Sequence, residues 1–307
     1  MGNSLPLPAL EQRTIPDLLE RSASFGLKRP WVVEAESGKQ LEYGDFLERT
    51  AAAAKVLATR FPRGAHVAVM LTNTVEFFIV RFALSCAGLV EVSMDGEQKG
   101  PVLKGMLETA KPVGMIIDSR YMSNVLGCGF DLANTVVMDD DAIEELCALR
   151  APWRERPDVD IAPGDPCRII FTSGTTGASK GAVLSHAYEV FVGSQYADNV
   201  DLTTKDRFLY TTRLFHADAQ FLIATMLHTG SSFILMPRFS ASKFWPLAVR
   251  FGATSFLFVG TILAILCRTE KPPPSTRCVL HSAVAARVRS GNDGWNIPGC
   301  RLSSVLL

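Results

Sequence analysis

The chain has no net charge: 31 lysines and arginines face 31 aspartates and glutamates across 307 residues. That balance excludes a nucleic-acid surface or a polybasic membrane tether as the main business of the chain. It also lacks any C-x-x-C pair. Its seven cysteines (86, 128, 147, 167, 267, 278 and 300) are scattered and odd in number. No secretory signal is read ahead of them, so reduced thiols and a cytoplasmic location are expected. Gly2 invites lipidation, but Pro6 stands where Ser or Thr is required. His66, His186, His228 and His281 show no metal-ligand spacing. The acidic run Asp139–Asp141 reads as a solvated turn capping the helix that follows, not as a metal site. Residues 251–267 carry no charge, but the run is at the short limit for a membrane span and Gly260 divides it. It reads as a buried strand followed by a buried helix. No internal repeat or low-complexity tract is present.

What the chain does have is regular alternation of strand and helix. Asp45 and Glu48 are expected to cap a helix whose buried face is Phe46, Thr50, Ala53 and Leu57. A strand is expected over His66–Leu71, and a helix starting at Asn73 with Glu76 and stopping at Gly88. Strands follow at Leu89–Ser93 and Val113–Ile117, with a helix at Val102–Ala110 between them. Residues 151–166 hold Pro152, Pro157, Pro163 and Pro166 and read as a linker. Beyond it, a helix is expected from Ala187, strands at Arg207–Tyr210, Ser232–Met236 and Thr254–Val259, and helices at Gln220–His228 and Ser242–Phe251. Residues 283–307 show no clear strand or helix. The alternation predicts layered α/β sheets, with subdomains at 15–150 and 167–307.

The most informative stretch is residues 171–181, FTSGTTGASKG. Thr172, Ser173, Thr175, Thr176 and Ser179 supply hydroxyls. Gly174, Gly177 and Gly181 allow close backbone approach to a ligand, and successive N–H groups can form an anion-binding nest. Lys180 adds a point charge suited to phosphate. The run Arg168, Ile169, Ile170, Phe171 ahead of it reads as the end of a buried strand, the usual place for a ligand loop in an open α/β sheet. The spacing is neither that of a Walker A loop nor of a dinucleotide fingerprint. A ligand-free surface loop is the plain alternative.

This stretch resembles the signature loop of the adenylate-forming (AMP-binding) enzymes, which include the acyl-CoA synthetases. Their pattern is an aromatic residue, TSGTTG, a variable residue, usually Pro, and Lys-Gly; here Ser179 stands in the place of Pro. The resemblance covers residues 15–270. It implies layered α/β subdomains of the adenylate-forming large domain, incomplete and without the C-terminal lid. It implies that Thr172, Ser173, Gly174, Thr175, Thr176, Gly177 and Lys180 hold the β- and γ-phosphates of ATP, with Thr176 reaching Mg²⁺. Phe215-His216 matches the family's aromatic-His pair, which places His216 beside the acyl and α-phosphate site. The surroundings also look like the carnitine/crotonobetaine-CoA ligase subgroup. The implied chemistry is ATP-dependent activation of a carboxylic acid in fatty-acid metabolism, followed by transfer to coenzyme A. The family's adenine-site aromatic-Gly-x-Thr-Glu, its ribose-binding Thr-Gly-Asp and its catalytic lysine domain find no match in residues 1–307. A truncated chain is therefore expected, one that does not itself form acyl-adenylate. Two other readings stand beside it: a non-catalytic remnant that binds nucleotide or a partner, and an ATPase of the P-loop type, against which the absent Gly-Lys-Ser/Thr counts.

Overall fold

The computed structural model describes residues 4–172, 180–200, 202–258, 260–266, 268, 278–282 and 300–303. In chain order, α1 (Ile15–Ser22) precedes β1 (Pro30–Glu34) and β2 (Gln40–Glu42). Next come α2 (Tyr43–Arg60), β3 (His66–Met70), α3 (Val75–Cys86), β4 (Val90–Ser93) and α4 (Gly100–Ala110). β5 (Gly114–Ile117), α5 (Ser119–Cys128), β6 (Val136–Met138) and α6 (Asp140–Ala148) complete the stretch before the prolines. After them lie β7 (Pro166–Thr172), β8 (Lys180–Ser185), α7 (His186–Val200), β9 (Arg207–Tyr210), α8 (Ala217–Thr229) and β10 (Ser232–Leu235). The last elements are α9 (Ala241–Phe251), β11 (Ser255–Phe258), α10 (Gly260–Leu266), β12 (Cys278–Ser282) and β13 (Cys300–Ser303).

The strands form two sheets. The first is seven-stranded in the order β13-β12-β11-β9-β10-β1-β2, and the second six-stranded in the order β6-β5-β3-β4-β7-β8. Every pairing is parallel except β1–β2 and β7–β8 at one edge of each sheet. Sheet membership crosses the proline-rich stretch: β1 and β2 come from before it, yet belong with β9–β13, while β7 and β8 come from after it and belong with β3–β6.

Both faces of each sheet are covered, which is why the strands read as nearly continuous apolar runs. In β9, Phe208 and Tyr210 point into the core between the sheets, and Leu209 points to the outer layer of α9 and α10. In β3, Val67 and Val69 face the same central core, and Ala68 and Met70 face α4 and α5. α1, α2, α3, α7 and α8 fill the space between the sheets. Trp31 of β1 anchors that layer, with its ring centroid 4.1 Å from Phe46 and 5.3 Å from Phe78. α7 and α8 pack with little room between them: a Cβ at Gly193 would lie 2.5 Å from that of Ala224.

The expected helix face of Phe46, Thr50, Ala53 and Leu57 is fully buried. The helix itself begins earlier than Asp45. Glu42 takes the cap position, and Asp45 lies in the first turn, where it pairs with Arg49 and Arg150 at 2.8 Å each. α3 likewise starts after Thr74 and not at Asn73. The stretch 283–307 contains β13, which the sequence reading left without a strand. The charge-free run 251–267 contains β11 and α10, as expected, and no described helix is long and apolar enough to cross a membrane.

Candidate functional site

The two ends of the signature stretch, 171–172 and 180–181, lie on antiparallel strands. β7 runs parallel to β4, with Ile170 opposite Ser93, and turns back as β8, with Thr172 opposite Lys180. The expected strand end is therefore present, and the edge strand β8 lies between it and α7. Ser173, Gly174, Thr175, Thr176 and Gly177 lie outside the described residues. Thr172 closes β7 and Lys180 opens β8, so the pair forms the neck of the loop. Lys180 is exposed, and its ammonium makes no ion pair among the described residues. Thr176, the expected Mg²⁺ contact, is outside the described residues, and among those described no group of three acidic, Cys or His side chains is placed to hold a metal ion.

Four buried charges anchor this hairpin from below. Arg168 on β7 donates to Glu91 of β4 at 3.1 Å and to Glu189 of α7. Glu189 also accepts from Arg81 of α3 at 2.9 Å, and Ser93 donates to Glu91. None of the four is more than 4% exposed. Burial alone would push the Glu91 carboxyl up, but the Arg168 and Arg81 guanidiniums and the Ser93 hydroxyl hold it below the usual carboxylate range. The Arg81 guanidinium is pushed down by burial and by the like charge of Arg168. The sequence signal for this network was an arginine inside an otherwise apolar strand.

His216 occupies the position just before α8, with φ −69° and ψ 153°. It is exposed, its ring lies 4.1 Å from that of Phe215, and its side chain does not cap the helix. The segment leading to it is held on several sides. Tyr210 donates its hydroxyl to the Arg213 carbonyl at 3.2 Å, and the His216 N–H donates to the same carbonyl at 3.2 Å. Asp218 accepts from the Thr212 hydroxyl at 3.1 Å. Arg213 reaches Asp95, just beyond β4, at 3.0 Å. Asn73, just beyond β3, donates to the carbonyls of Thr212 (2.6 Å) and Met236 (3.0 Å) and accepts from Leu214 N–H (3.0 Å). The connections after β3, β4, β9 and β10 thus meet at the carboxyl ends of the two sheets, the place where open α/β sheets bind ligands. No hydrogen bond or ion pair among the described residues joins His216 to Lys180 directly.

Three other histidines do structural work. His186 is buried at the start of α7 and accepts from Ile15 N–H at 3.2 Å; burial pushes its pKa down to about 4. His228 is buried with Nε2 3.0 Å from the Val190 carbonyl, and burial pushes it to about 4 as well. His66 holds the Ala110 carbonyl. Asp139 caps α6 as expected, accepting from Ala142 N–H.

A family model described as AMP-binding enzyme matches residues 19–294. Long-chain fatty acid transport protein 6 of Homo sapiens is 24% identical over 296 residues, covering 92% of this chain and 47% of that protein. Crotonobetaine/carnitine–CoA ligase of Citrobacter koseri is 24% identical over 275 residues, covering 82% of this chain and 51% of that protein. The chain spans about half the length of the curated relatives it matches. Among solved structures, the N-terminal domain of FACL13 from Mycobacterium tuberculosis superposes with a TM-score of 0.79 at 22% identity, over 88% of this chain and 69% of that one. This last likeness is one of fold.

Proposed function

The chain belongs to the AMP-binding enzyme family, and we propose that it serves ATP-dependent activation of a carboxylic acid for transfer to coenzyme A. The observation that carries the reading is the hairpin neck, where Thr172 and Lys180 face each other at the ends of a hydroxyl- and glycine-rich loop, beside the strand β4. In this reaction a carboxylate oxygen attacks the α-phosphorus of ATP. The bond to the β-phosphate oxygen breaks, and pyrophosphate leaves with its electron pair. The protein's task is positioning and charge neutralisation. Lys180 and the loop residues Thr172, Ser173, Gly174, Thr175, Thr176 and Gly177 would take the β- and γ-phosphates, and Thr176 would hold Mg²⁺, which would neutralise phosphate charge. His216 orients the acyl and α-phosphate groups from the β9–α8 connection. A fatty or carnitine-like acid is consistent with the relatives' names.

Residues 1–307 supply the phosphate side of such a site. They contain no Thr-Gly-Asp for the ribose and no aromatic-Gly-x-Thr-Glu for the adenine. The 307-residue polypeptide assayed alone is therefore expected to bind ATP or pyrophosphate and to show no acid-dependent ATP–pyrophosphate exchange. Lys180→Ala removes one charge-assisted contact to phosphate and should weaken ATP binding about tenfold or more. Lys180 is exposed, so the same change should leave thermal unfolding untouched. ATP affinity equal to that of the unaltered chain in calorimetry would refute the assignment of the loop.

A further inference from the structure

The sequence suggests that Asn73 caps α3, and it does not. Thr74 holds the cap position, and the first-turn N–H of Val75 is satisfied by a carboxylate oxygen of Glu34 at 2.9 Å. Asn73 is thereby released for a different task. Its side chain is 6% exposed and spends both donors and its oxygen on backbone groups of the opposite sheet's connections. One of those groups is the N–H of Leu214. The carbonyl of the same residue accepts from the side-chain amide of Gln220, on α8, at 2.9 Å. Leu214 is thus gripped on both sides of its backbone by two buried amides. One comes from β3–α3 in the second sheet, the other from the helix that His216 precedes. The next two residues are Phe215 and His216.

We propose that Asn73 and Gln220 are positioning residues for the Phe215–His216 pair: together they fix Leu214 and so set where His216 stands relative to the rest of the site. The chemistry of the grip requires amides. Asn73 must donate to two carbonyls and accept from one N–H. A carboxylate at that position would face two carbonyl oxygens with no proton to give, and an apolar side chain would leave buried polar groups unpaired. The inference rests on the reading of His216 as a site residue, but its geometry does not depend on catalysis.

The test is made on the full 307-residue chain by NMR of the histidine rings and of amide exchange. In Asn73→Ala, the Leu214 amide is expected to lose its protection from exchange. The His216 ring resonance should shift or split, while those of His186 and His228 stay in place. Gln220→Leu should move the same His216 signal. A change spread equally over all histidines, or an unmoved His216, overturns the proposal. If Asn73→Ala does not fold, Asn73→Ser and Gln220→Leu are read in the same way; failure of all three to fold also overturns it, because the two amides would then be general framework. ATP binding by the unaltered chain is measured separately. Its absence would sink the functional reading and leave the amide grip standing.

Discussion

Replacing Glu189 by Gln is the sharpest perturbation of the frame behind the hairpin. The four buried side chains hold two positive and two negative charges, so the cluster is neutral; the replacement leaves it at one net positive charge, with Arg168 paired to Glu91 and Arg81 without its carboxylate partner. Glu189 accepts from both guanidiniums. Gln keeps one acceptor oxygen, so one charge-assisted bond is lost at about 1.5–3 kcal/mol and the other loses its charge, which together approach the roughly 3–5 kcal/mol found when one partner of a buried ion pair is removed. That is a large share of the 5–15 kcal/mol or so by which folded chains are stable. Urea unfolding followed by tryptophan fluorescence is a suitable assay, because Trp31 and Trp245 are both buried. The charge argument makes a second, opposite demand. Adding Arg81→Met to Glu189→Gln restores neutrality, leaving Arg168 with Glu91, so the double variant should be more stable than the single one. A single-variant loss below about 1 kcal/mol, or a double variant less stable than the single, would refute the reasoning.

Acid should weaken the fold in a defined window. His186 and His228 are held neutral by burial down to about pH 4, while the unfolded chain protonates them near 6.5. The unfolded state therefore binds more protons between those values, and stability is full above 6.5 and falls as pH drops, by roughly 2 kcal/mol per histidine on reaching pH 5. Urea midpoints at pH 7.5 and 5 check this, and an unchanged or higher midpoint at pH 5 counts against it. Thiol chemistry gives an independent check on the central layer: burial pushes Cys86 and Cys147 to about 12 and Cys167 to about 11. At pH 8 the native chain should leave these three unlabelled by iodoacetamide and label them in urea, as read by peptide mass mapping; equal labelling in both states would contradict their burial.

Much of the alternation was legible because the strands are buried on both faces. Arg207–Tyr210 is an apolar run between polar punctuation, and it is a strand with those bounds. The helix face Phe46, Thr50, Ala53, Leu57 repeats with the helical period and is buried. The failures have tertiary causes. Asp45 and Asn73 are good cap residues locally, but one serves Arg49 and Arg150 and the other serves backbone groups more than 100 positions away. β8 escaped notice because it lies at a sheet edge with Lys180, Ala182 and Val183 exposed, so it shows no clean alternation. Arg168 reads as part of the buried strand end 168–171, but its role there declares itself only when its partners on β4 and α7 are known. At the site, Phe215-His216 and the loop were visible as motifs. Their supports, Asn73, Tyr210 and Gln220, carry no local signal of that role.

The interlacing of the two sheets has a consequence for how the chain is made. β1 pairs with β10, and Val32 stands opposite Phe233, 201 positions later. At a ribosomal pace of roughly 5–20 residues per second, β1 waits about 10 to 40 s for this parallel partner. Throughout that interval Trp31, destined for the central layer, has no finished sheet to join. The first strand synthesised can pair with β2 at once, but its other edge stays open until β10 is made. Slow closure of this long-range ladder is the step at which a nascent chain is most exposed to wrong partners.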